Sequence, residues 1–60
     1  MTASVINELK TINARLLELR NLLPENDVNG LIDSADYSFD GAIDSVYEAI
    51  SFLEKYSKII

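Results

Sequence analysis

Pro24-Glu25-Asn26-Asp27-Val28-Asn29-Gly30 is the one cluster of turn-forming residues in the chain, and a run of this kind between two periodic segments is a connection. Upstream of it the apolar residues fall at Val5, Leu9, Ile12, Leu16, Leu19 and Leu23. Their steps alternate between four and three, the seam of an amphipathic helix. Asn7, Lys10, Thr11, Ala14, Glu18 and Asn21 take the opposite side. The spacing predicts a first helix over about 3–23, with Thr2 or Ser4 as its cap and Pro24 as its stop. Pro24 also suits the first position of a helical turn. Asp27 and Asn29 are both suitable caps for a second helix, and the sequence leaves that choice open.

Downstream the same alternation resumes at Val28, Ile32, Ala35, Phe39, Ala42, Val46, Ala49, Leu53, Tyr56 and Ile60. The reading is a turn over about 24–29 and a second, longer helix over about 30–58. Ser38-Phe39-Asp40-Gly41 threatens its continuity, because a helical glycine costs about 1 kcal/mol against alanine. Ile32-Asp33-Ser34 returns as Ile43-Asp44-Ser45, eleven residues later, which is three turns of one helix. One helix is therefore expected, with a possible kink near Gly41. Ala35, Ala42 and Ala49 alternate with Ile32, Phe39, Val46 and Leu53, and alternating small and large side chains let another helix approach closely. Ile43 and Ile50 widen the apolar face beyond a two-stranded zipper, as a bundle with several neighbours requires. Leu17 lies off the first seam and is expected against a third helix.

The fold class is thus all-α, a single domain over 1–60 built as an antiparallel two-helix hairpin. Sixty residues bury only roughly 60% of the surface an unfolded chain exposes, and chains this small draw stability from disulfides, metals or association. With no Cys and no His, disulfides are excluded and a zinc site has no ordinary ligands beyond carboxylates. Leu, Ile, Val and Phe make up 20 of 60 residues, clear of the composition of disordered chains. Residues 1–23 carry a net charge of +1 and residues 24–60 a net of −6, so facing helices differ in sign.

Folded back from the turn, a first helix of about 20 residues, roughly 30 Å, runs out opposite Ala49. Ile50, Phe52, Leu53, Tyr56, Ile59 and Ile60 are then left uncovered. Either this tail folds back or it docks on another chain; the preferred reading is a two-fold homodimer, a four-helix bundle in which each tail covers its partner's. That architecture is similar to the plasmid regulator Rop in topology alone, since no motif is shared and a basic RNA-binding role conflicts with ten acids against five bases. The two-helix aspartyl-phosphate phosphatases have Asp four residues after Ser, and no serine here is so followed.

Asp33, Asp36, Tyr37, Asp40, Asp44, Tyr47 and Glu48 succeed one another at helical spacing. This acidic stripe is either a solvated face or a docking strip for a basic surface, steered by its field. A net charge of −5 argues against binding nucleic acid or anionic membrane directly. Met1-Thr2-Ala3-Ser4 does not read as a signal peptide, and no apolar run suits a membrane span, so a cytoplasmic location is the expectation. No cofactor is expected. Nucleophilic catalysis lacks Cys and a His base, di-iron ligation lacks Glu-x-x-His, and calcium-loop spacing is absent. The chain therefore reads as no enzyme. Its leading function is binding and regulating, or inhibiting, a protein partner with a basic surface, in the manner of a small phage or plasmid accessory inhibitor that mimics nucleic acid. The alternatives are an adaptor or complex subunit that docks by its apolar C-terminal helix, and a small-ligand sponge at a subunit interface.

Overall fold

A computed structural model of the chain describes residues 1–59, which form two α-helices and no strand. Helix α1 spans Thr2–Asn21 and helix α2 spans Leu31–Ile59. They pack against each other as an elongated hairpin of 49 × 14 × 10 Å.

Both ends of the connection have local causes. The Leu22 and Leu23 amides donate to the Leu19 and Arg20 carbonyls at 3.0 and 3.1 Å, so α1 tightens into a three-residue turn before Pro24. A residue that precedes proline is pushed out of the helical region, and α1 accordingly closes at Asn21, two residues short of the expected limit. Pro24 starts no helical turn. Asn29 and Gly30 both have positive φ, 56° and 70°, a left-handed pair that Asn and Gly adopt most readily. The Ser34 amide donates to the Gly30 carbonyl at 3.0 Å, which makes Gly30 the residue that opens α2. Asp27 supplies the side-chain cap: its Oδ1 accepts from the Ile32 amide at 2.9 Å. Neither Thr2 nor Ser4 caps α1. Met1 occupies that position without a side-chain bond, and its carbonyl accepts from the Val5 amide at 3.1 Å.

Helix α2 is continuous through Gly41. The helical propensities on either side outweigh the roughly 1 kcal/mol that one glycine costs, and Asp40 ion-pairs with Arg20 instead of capping a new start.

The buried set differs from the sequence seam on α1. Among the described residues, those most buried are Ile6, Ile43, Ile50 and Asn13. Leu9, Leu16, Leu17 and Leu23 are half-buried, whereas Val5, Ile12 and Leu19 stay 47%, 49% and 36% exposed. Helix α1 is thus rotated about its axis, so that α2 meets one flank of the apolar arc instead of its centre. A heptad seam marks the middle of an apolar arc, and in a bundle that middle faces the bundle axis between two neighbours. One neighbour covers only one flank. Leu17, on that flank, needs no third helix. Val28 lies in the connection and is exposed.

The register also differs from the simple folding-back. Asn13 Nδ2 donates to the Ile43 carbonyl at 3.2 Å, and at equal rise along both helices this places Thr2 level with Glu54. Lys10 reaches Glu54 at 3.9 Å. The nine residues between the helices are not helical, so α2 begins later than the seam suggests and α1 covers it further along. Ile50 is consequently covered by the hairpin itself, at 5% exposure, and the overhang shrinks to about one turn beyond Lys55.

Candidate functional site

Three surface features remain once the hairpin is closed: the acidic stripe, the end of α2, and the broad side opposite the stripe. All three arise from the helical repeat of 100° per residue.

The stripe residues share one side of α2, where helical spacing keeps them in one band. Two of the carboxylates are engaged by α1. Arg20, at 30% side-chain exposure, places its Nε 3.8 Å from Asp36 Oδ1, and its Nη1 donates to Asp40 Oδ1. The structure therefore splits the stripe. Asp36 and Asp40 form its inner edge, tied to Arg20. Asp33, Asp44 and Glu48 are exposed and hold no ion pair among the described residues. Tyr37 and Tyr47 flank them at 81% and 55% exposure, each an amphipathic ring of the kind enriched at protein interfaces. Among the described residues no three His, Cys, Asp or Glu side chains converge as metal ligands, because carboxylates on one helix face diverge outward.

At the end of α2, Phe52, Tyr56 and Ile59 are exposed while Leu53 is half-buried. Lys55 Nζ lies 5.9 Å from the Phe52 ring centroid, a cation–π contact that covers part of one ring. Ile60 lies outside the described residues. Ile50 belongs to the interior of the hairpin and not to this patch.

On the broad side away from the stripe, Leu16 of α1 and Ala35, Ser38, Phe39 and Ala42 of α2 line an open groove of about 310 Å³. Val5, Ile12 and Leu19 form a ridge along its α1 edge, one residue every two turns. A second open depression lies on α1 alone, near Met1, Asn7, Thr11 and Ile12.

Asn13 is the residue that sequence periodicity missed. It stands where the inner flank of α1 meets α2 and is 3% exposed. Its Nδ2 holds the Ile43 carbonyl, and its Oδ1 is buried without a hydrogen-bond partner. The available signal was its place seven residues after Ile6, on the same line of the helix. Polar residues at such interior positions fix register at a cost in stability. Among the described residues no helix is long and apolar enough to cross a membrane. Compared with protein-family models, with curated proteins and with solved structures, the chain matches none.

Proposed function

We propose that this chain is a non-enzymatic, self-associating helical hairpin that binds a protein with a basic surface through its acidic face, and so regulates or inhibits that protein. The observation that carries the reading is the split of the stripe. Asp33, Asp44 and Glu48 remain solvent-facing beside two exposed tyrosines, while Asp36 and Asp40 pair with Arg20. Asp33 lies in the first turn of α2, where an acid favours the helix, but Asp44 and Glu48 serve no such end, since like charges at this spacing cost a few tenths of a kcal/mol each. A rigid line of negative charge at helical pitch suits a surface that otherwise binds nucleic-acid phosphates, and its field speeds encounter.

The test is a binding series on a panel of purified basic DNA-binding proteins, with wild type and with D33N/D44N/E48Q. The reading expects at least one protein whose capture is lost in the triple variant, weakens as salt rises and is competed by duplex DNA. Capture that survives the triple variant with unchanged salt dependence would remove the stripe from the function. Exposed Phe52, Tyr56 and Ile59 favour a second reading, in which the end of α2 lies in the groove of a larger complex as an adaptor. F52S/I59S would then abolish binding and the stripe variant would not.

A further inference from the structure

We infer that a second copy of this chain docks on the broad side bearing Val5, Ile12 and Leu19, with the two turns at the same end of the dimer. The inference rests on the proposed self-association and names its interface, which lies on this side and not at the tail.

Area is the first argument. The accessible surface is 4778 Å², whereas a compact monomer of 6.7 kDa exposes roughly 3,900 Å². The excess of about 900 Å² is close to the ~800 Å² that each partner contributes to a standard interface. The broad side, 49 by 14 Å, is the largest side of the hairpin and comes nearest to that area. The tail does not, because only about one turn of α2 projects past α1.

Charge is the second argument. A chain at −5 repels its own copies unless the contact avoids the acids. Around α2 the acidic residues occupy the outer and Arg20-facing sides, and on the groove side helical spacing places only alanine, serine and apolar residues. On α1 the ridge residues carry no charge, and Glu8 and Arg15 beside them are opposite in sign and cancel. The occupant is then a surface as apolar and as free of net charge as this one, and the hairpin itself presents such a surface.

Shape decides the orientation. The ridge of Val5, Ile12 and Leu19 and the line of Ala35, Ala42 and Ala49 both repeat every seven residues. From the Asn13–Ile43 pairing, Ile12 is level with Asp44, between Ala42 and Ala49. Leu19 is level with Tyr37, between Ala35 and Ala42, and Val5 is level with Ser51, just past Ala49. A two-fold axis parallel to the helices keeps these levels and sets each α1 ridge over the partner's alanine line, large side chains into the gaps between small ones. Reversing one copy would stack ridge on ridge and leave the alanines facing a void. In the same-end dimer both acidic stripes point outward.

The experiment is sedimentation equilibrium on wild type, I12E, A42R and F52S/I59S, together with a spin-label distance on N26C, the only cysteine in that variant. Positions 12 and 42 are exposed in the hairpin, so helicity should persist. The expected result is a wild-type dimer and a dissociation constant raised at least about 100-fold in I12E and A42R, with F52S/I59S still dimeric. The labels should lie within about 25 Å, two helix diameters. A monomeric wild type at high concentration would defeat self-association itself. A dimer that survives A42R and I12E would defeat this interface alone. Labels some 49 Å apart, the length of the hairpin, would defeat the same-end arrangement even if the variants failed to fold.

Discussion

Replacing Asn13 by leucine should stabilise the hairpin by about 2 kcal/mol, a net of four contributions. Asn13 is the most buried polar residue described, with one hydrogen bond made and one carbonyl oxygen unmade. Losing the bond to the Ile43 carbonyl costs about 0.5–1.5 kcal/mol, but that carbonyl keeps its own helical partner, because α2 is unbroken there. Removing the orphaned Oδ1 returns about 1–3 kcal/mol. Burying a leucine side chain contributes about 1.5–3 kcal/mol, from which roughly 1–2 is deducted for crowding in a site shaped for a smaller, planar amide. In a domain this small the net gain corresponds to a rise of roughly 10 °C in Tm. The assay is urea and thermal unfolding by far-ultraviolet circular dichroism, at one protein concentration for every variant. N13D sharpens the test. Its carboxylate would be buried against the Ile43 carbonyl, acceptor against acceptor, so it should destabilise by about 3 kcal/mol or more near neutral pH. A leucine variant less stable than wild type, or an aspartate variant equal to it, would refute the placement of Asn13 between the helices.

Two further outcomes test the register and the continuity of α2. I50A should destabilise the chain by about 2–4 kcal/mol, while F52A, on an exposed side chain, should change it by no more than about 0.5 kcal/mol; equal effects in urea titrations would mean that the hairpin closes in another register. G41A should stabilise by about 0.5–1 kcal/mol, since a Cβ added there meets nothing within 4 Å, and a lowered urea midpoint would point to a bend or a contact at Gly41.

The two helices, their order and their connection were legible because each rests on local chemistry: unbroken heptad spacing on both sides and a single run of breakers between. The acidic stripe was legible for the same reason, as residues of one type repeat along one face. What periodicity did not convey is the rotation of α1. Val5, Ile12 and Leu19 belong to the apolar seam of the sequence, yet they stay exposed while α2 lies against Ile6 and Asn13, because the arc is wider than one helix can cover. Register was equally hidden. It depends on where α2 starts after a non-helical connection and on one buried amide; Asn29-Gly30 at positive φ leaves no periodic trace, and a polar Asn13 is not read as part of an apolar seam. The split of the stripe needed the structure as well, since Arg20 reaches Asp36 and Asp40 only in this rotation.

That rotation ties the surface features together. Turning Ile6 and Asn13 toward α2 brings Arg20, on the same line of α1, against the inner edge of the stripe, and it swings Val5, Ile12 and Leu19 away from α2 onto the broad side. One rigid turn of a helix therefore leaves two unlike faces, a line of carboxylates on one side and an uncharged ridge and groove on the other. Had α1 met α2 along the seam of its sequence, the ridge would be buried in the hairpin and Arg20 would sit further from Asp40. Asn13 helps hold this arrangement, because its amide finds the Ile43 carbonyl only when α1 is so turned. An amide that lowers stability also sets the rotation on which both faces depend, and the stabilised N13L chain offers a way to separate the two. If its helices reset toward the apolar seam, stability should rise while dimerisation and capture of a basic partner both weaken.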